Sequence, residues 1–188
     1  MCSSDLLPSR LHLDAVCRYH IPTYERTAFL RLDVNEHPGG APAFVVEALR
    51  EALTPDAIAT YPAYAAWHEA AARAFGVRPD EVTCTCGADE GIKAVLETFL
   101  LPGLALATPD PGFDMFPMWA QVYGNPLRLV PFGPGFAFDA DAWFAALGPG
   151  LGMAALVTPN NPTGTRVPRD VIAQTLARVT CPVVVDET

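Results

Sequence analysis

Apolar positions recur in two alternating rhythms from about residue 42 onward. Val45, Ala48, Leu49 and Ala52 fall at i, i+3, i+4 and i+7, so Pro42 to Leu53 is predicted to form an amphipathic helix with a proline in its first turn. Tyr61-Pro62 breaks the chain, and Ala65 to Phe75 reads as a second, alanine-rich helix stopped by Gly76. Beyond it, short β-prone apolar segments lie at Val82 to Cys86, Leu104 to Thr108, Leu127 to Pro131, Met153 to Thr158 and Val183 to Asp186. Helical patterns separate them at Asp89 to Leu100, Phe113 to Tyr123, Asp139 to Leu147 and Arg169 to Val179. Strand and helix in alternation predict an α/β fold with a mostly parallel sheet covered on both faces, a three-layer αβα arrangement. The first forty residues lack this rhythm. With Pro8, Pro22, Pro38 and Gly39-Gly40 they read as an extended arm, so the division expected is an arm over residues 1–41 and one large module over 42–188.

Composition narrows the class. Of the 188 residues 51% are hydrophobic and 18% charged, which suits a folded core and not a disordered segment. Twelve Lys and Arg against 21 Asp and Glu give a net charge of -9, which argues against nucleic acid because little here would neutralise a row of phosphates. The five cysteines form an odd set without a CxxC pair, so neither a disulfide framework nor a zinc ribbon is indicated. Cys84 and Cys86, alternating onto one face of the first predicted strand, read as small core hydrophobes. The four histidines show no i, i+4 pairing, and no metal is expected. Met1 to Arg10 is polar, unlike a secretion signal, and the longest apolar runs are too short and proline-broken to span a bilayer. The expected setting is the cytoplasm.

In open α/β sheets, chemistry gathers beyond the carboxyl ends of the strands. Four polar places occur there: Gly87-Ala88-Asp89-Glu90, Pro109-Asp110-Pro111-Gly112-Phe113, Pro159-Asn160-Asn161-Pro162-Thr163-Gly164, and Asp186-Glu187. A glycine between strand and helix lets the first helical amides face a phosphate, although an ordinary β-to-α turn with Asp89 as a helix-start carboxylate has the same appearance. The Asn-Pro run locks a turn and can hold one amide side chain in a crevice, although Asn and Pro are also common turn formers. Asp186 follows Val183, Val184 and Val185, so its carboxylate is partly desolvated and wants a cationic partner; a solvated strand-end acid is the plainer reading.

Taken together, these places resemble those of fold-type I pyridoxal-phosphate-dependent aminotransferases (class I/II), and within them the histidinol-phosphate aminotransferase branch. The resemblance is carried by Arg31-Leu32-Asp33-Val34-Asn35-Glu36, Tyr61-Pro62, Cys86-Gly87-Ala88-Asp89-Glu90-Gly91, Asn160-Asn161-Pro162-Thr163-Gly164-Thr165 and Val183-Val184-Val185-Asp186-Glu187. It implies the cofactor pyridoxal 5'-phosphate, held at its phosphate by the amides of Ala88 and Asp89. It further implies that Phe113 stacks on the pyridine ring, Asn161 hydrogen-bonds the ring hydroxyl, and Asp186 pairs with the protonated ring nitrogen so that the ring draws electrons. Tyr61 resembles the tyrosine that reaches a neighbouring subunit's phosphate site, which implies a homodimer. The substrates implied are an amino donor, amino acid or amine, and a 2-oxo acid.

The sequence departs from the family pattern at two points. An aromatic near the substrate is common in the stretch Asn35 to Gly40, where this chain has His37 and two glycines. Family members also run to about twice this length, and the Schiff-base lysine lies in the part that has no counterpart here. Lys93 is the one lysine of this chain, sits a turn into a helix at a position the family does not use, and reads as a solvated helix residue. The expectation is therefore the N-terminal half of a large domain, incomplete in its sheet, with no catalytic residue of its own and inactive alone. Val82 to Cys86 is expected to lose sheet neighbours in such a half. The competing reading is a non-catalytic truncated module that dimerises with, or complements, a full-length relative. A nucleotide-binding domain is disfavoured because neither GxGxxG nor a P-loop follows any predicted strand.

Overall fold

The computed structural model describes residues 13, 16, 23–31 and 34–188. The polar segment Met1 to Arg10, Cys2, Cys17, His12, His20 and the Leu32-Asp33 pair therefore lie outside the described residues. The described residues divide into two compact units, one within residues 20–84 and the other within residues 85–188.

The first unit is helical. The α1 helix spans Ala43–Ala52, α2 spans Pro55–Ala59 with Thr54 capping the Ala57 amide, and α3 spans Tyr64–Phe75. Gly76 ends α3 in the left-handed region at φ 68°, where a glycine carries no steric cost, as the pattern predicts. The apolar stripe of α1 is present, yet no residue of this helix is buried: Phe44, Leu49 and Leu53 are exposed, and Ala72 of α3 is the one buried apolar residue among the described residues of this unit. A stripe read from sequence tells which face seeks cover; it does not say that cover is supplied.

The second unit is the α/β layer structure. Four strands, β1 Ala105–Asp110, β2 Leu127–Pro131, β3 Leu151–Val157 and β4 Val183–Asp186, form a wholly parallel sheet in the order β2-β1-β3-β4. The helices α4 Gly87–Phe99 and α5 Met115–Tyr123 cover one face, while α6 Ala140–Ala146 and α7 Arg169–Arg178 cover the other. Strand alternation assigns the faces. Leu106, Met153, Ala155, Val157 and Val184 meet Ile92, Leu96 and Phe116 on the α4/α5 side. Ala107, Val130, Ala154, Leu156 and Val183 meet Trp143, Val167 and Val171 on the α6/α7 side. Trp143 is fully buried, and its indole N–H donates to Thr175 Oγ1 at 2.8 Å, tying α6 to α7. Asp139 starts α6 by accepting from the Ala142 amide at 2.9 Å.

One predicted strand is absent. Val82 to Cys86 forms no ladder, and Cys84 and Cys86 are exposed instead of packed as core hydrophobes. A strand exists through pairing, and the edges of this sheet are β2 and β4, neither of which pairs with 82–86. Among the described residues the segment has strand composition without joining a strand ladder.

Candidate active site

Because all four strands run parallel, their carboxyl ends share one edge, and three of the four sequence-derived places lie directly on it. The loop after β3, residues 158–165, is the hub. Thr158 donates its amide to the Asp186 carbonyl at 2.8 Å, joining this loop to the end of β4, where Val157 and Asp186 stand in register. Asn160 donates through Nδ2 to the Pro111 carbonyl at 3.0 Å, joining it to the loop after β1. Thr165 donates through Oγ1 to the Phe136 carbonyl at 2.8 Å, joining it to the segment after β2. The loop also closes on itself: Asn160 N donates to Thr165 O and Gly164 N to Asn160 O, both at 2.7 Å.

On this hub, Asn161 points outward and is exposed, while Asn160 is 2% exposed. Asp186 is buried at 9% exposure, and strand alternation places it on the sheet face of Val184, the α4/α5 side. Its Oδ1 accepts from the Thr188 amide at 3.0 Å and the Thr188 hydroxyl at 2.6 Å, and no hydrogen bond of the described residues reaches Oδ2. Phe113, two residues past Pro111, is half-buried against the core of the same face. The structure thus brings Phe113, Asn161 and Asp186 to one edge on loops that are hydrogen-bonded to each other.

The α4 helix runs back against the strands, since it ends at Phe99 and β1 begins at Ala105 on the opposite edge. Its start therefore opens toward the carboxyl edge. Gly87 there has φ 76°, and Cys86, in the capping position, makes no side-chain cap. Glu90 reaches back instead and accepts from the Cys86 amide. Ala88 and Asp89 occupy the uncapped first turn, where amide donors and the helix dipole favour an anion. Tyr61, by contrast, belongs to the other unit and is 97% exposed. Lys93 is exposed on α4 with its ammonium 5.4 Å from the centroid of the Trp119 ring, a cation–π contact with α5. The sequence assigns no role to Asn160, Thr163 or Thr165 beyond their place in the Asn-Pro motif beside Asn161. Two adjacent asparagines gave the only available signal, and which of them turns inward is set by the loop backbone. Among the described residues no group of three His, Cys, Asp or Glu is placed to hold a metal, and no helix is long and apolar enough to cross a membrane.

The parallel αβα layer matches, over part of its length, the fold of solved pyridoxal-phosphate-dependent aminotransferases, and the chain belongs to the aminotransferase class I and II family, whose pattern matches residues 27–188. Curated relatives include the histidinol-phosphate aminotransferase of Rhodopseudomonas palustris (strain TIE-1), 32% identical over 142 residues, covering 74% of this chain and 38% of the relative. The solved N-succinyldiaminopimelate aminotransferase of Mycobacterium tuberculosis is 27% identical with a TM-score of 0.67, over 78% of this chain and 42% of that one. The histidinol-phosphate aminotransferase of Sinorhizobium meliloti, solved in complex with pyridoxal-5'-phosphate, shares the fold at 23% identity and a TM-score of 0.73, over 82% and 42% of the two chains. The chain spans well under half the length of these proteins.

Proposed function

We propose that this chain builds the N-terminal part of a pyridoxal phosphate site in an aminotransferase resembling histidinol-phosphate aminotransferase, moving an amino group between an amino acid or amine and a 2-oxo acid in the cytoplasm. The observation that carries this reading is the buried Asp186 carboxylate, one oxygen held by Thr188 and the other left open, on the edge where the Phe113 and Asn161 loops are stapled together. The residues present fit the group: an acid for a ring N–H, an aromatic face, an outward amide, and uncapped helical amides for a phosphate. Pyridoxal phosphate, when bound, supplies an aldehyde on an electron-withdrawing ring.

In this reading Asp186 Oδ2 holds the proton of the ring nitrogen, and its burial strengthens that charge-assisted bond. Phe113 packs on a ring face and keeps water from it. Asn161 Nδ2 donates to the ring hydroxyl, and the Ala88 and Asp89 amides bind the phosphate. Tyr61, exposed as it is, serves the site of a second subunit, so the working form is a homodimer or an assembly with a complementing C-terminal half. The arm of residues 1–41 and the module of 42–188 remain the proposed organisation of the whole. Transamination needs an amine at the cofactor, and Lys93 lies against Trp119; these 188 residues alone are inactive in this reading.

Titration with pyridoxamine phosphate, which carries ring and phosphate but cannot react with Lys93, tests the reading. The change Asp186→Asn is expected to weaken binding by about 10- to 100-fold, the scale of a hydrogen bond to a charged group. Equal affinity of Asp186→Asn and the unaltered chain would remove the central support.

A further inference from the structure

We infer that Asn160, not assigned a role by the family pattern, is a positioning residue that sets the spacing between Phe113 and Asn161; the inference rests on the pyridoxal phosphate reading of the site. Asn160 is the largest buried polar side chain of the carboxyl edge, at 2% exposure. Its Nδ2 donates to the Pro111 carbonyl at 3.0 Å and the Thr163 hydroxyl at 2.9 Å. The amide orientation follows from chemistry: the Pro111 oxygen only accepts, so the atom facing it is the NH₂ group. That group is the side-chain bridge between the β1 loop and the β3 loop. Pro111 stands two residues before Phe113, and Asn160 one residue before Asn161. One bond therefore ties an aromatic face on one loop to an amide on the next, while the bond to Thr163 holds the Asn160 amide within its own loop.

The Thr163 hydroxyl in turn accepts from the Thr165 amide at 3.2 Å, so the bridge is anchored within the hub. Oδ1 of Asn160 is buried with no partner and lies 3.8 Å from where a Cβ on Gly112 would stand. An acceptor left unsatisfied inside a loop junction is a cost that a purely structural turn avoids by a smaller side chain. The reach of the Asn160 amide is what spans the two loops, so the chain uses one asparagine inward for spacing and the next outward for contact.

The test uses the full chain with pyridoxamine phosphate, read by its affinity and by the induced circular dichroism of the bound ring, with inorganic phosphate as a competing probe. Asn160→Ala is expected to lower ring-ligand affinity about tenfold and to diminish the induced band, while the competition constant of phosphate stays unchanged, because the α4 amides are untouched. Thr163→Val, which keeps the Pro111 bond, is expected to show a smaller effect in the same direction, and Thr163→Ser none; these two serve if Asn160→Ala does not fold. Native affinity and a native band in Asn160→Ala, with Asp186→Asn still impaired, would overturn the role of Asn160 and leave the site reading standing. Absence of any induced band in the unaltered chain would instead remove the site reading and this inference with it.

Discussion

Gly112 offers the sharpest check on how the carboxyl edge is built. It lies between Pro111, whose carbonyl Asn160 holds, and Phe113, and a Cβ built on it falls inside 3.0 Å of the Pro109 carbonyl oxygen, closer than real Cβ atoms come. Pro109 cannot retreat, because it stands within β1 in register with Val130 of β2. The Gly112 side must move, and a displacement of about an ångström in a packed junction costs about 1–3 kcal/mol. The same movement stretches the 3.0 Å bond from Asn160 to Pro111, worth about 1 kcal/mol. Gly112→Ala is therefore expected to destabilise the unit by about 2–4 kcal/mol. The control is Gly148→Ala: an added Cβ there meets nothing within 4 Å and the backbone is not left-handed, so a change within about 0.5 kcal/mol is expected. Urea unfolding followed by tryptophan fluorescence reads both, with the midpoint shifting at constant slope. Equal midpoints for the two variants would refute the argument that the Pro109–Gly112 approach is rigid.

Two further outcomes follow from groups away from the edge. Thr175→Val leaves the fully buried Trp143 indole N–H without its acceptor at 2.8 Å and is expected to cost about 1–3 kcal/mol, whereas Thr175→Ser, keeping the hydroxyl, retains most of the stability; thermal unfolding of the pair decides it. Burial pushes the Cys181 thiol above its usual range, so less of it is thiolate at neutral pH; its alkylation, mapped by peptide mass spectrometry, should lag that of exposed Cys86 and accelerate as pH rises through the raised value. Cys181 reacting as fast as Cys86 at pH 7 would contradict that ordering.

Periodicity located the layers well because each layer is written locally. The segments Leu127–Pro131 and Val183–Asp186 coincide with β2 and β4, and the helical patterns after residue 85 match α4 to α7 within two residues at each end. Three valines before Asp186 announced a carboxylate at the mouth of an apolar strand, and the structure buries it. Val82 to Cys86 failed because alternation states which side chains share a face, not whether another strand lies alongside. The stapling of the hub was illegible for a related reason. Asn160 meets Pro111 across 49 positions of sequence and Thr165 meets Phe136 across 29, distances over which composition carries no signal.

The strand order explains why the hub falls on the loop after β3. In a parallel sheet every carboxyl end emerges on one edge, but only the loop of an interior strand can touch the loops of both neighbours. The interior strands are β1 and β3, and β3 lies between β1 and β4. Its loop can therefore reach Pro111 on one side and Asp186 on the other, as the bonds from Asn160 and Thr158 do. Asn161 and Phe113 consequently owe their placement to sheet pairing formed within this chain, and so does the Asp186 backbone. The first turn of α4 is different. It follows segment 82–86, which joins none of the four strands, and among the described contacts it is positioned by the packing of Ile92, Leu96 and Leu100 and by Lys93 over the Trp119 ring. The ring side of the proposed site is thus held by ladder hydrogen bonds, and the phosphate side by one helix face.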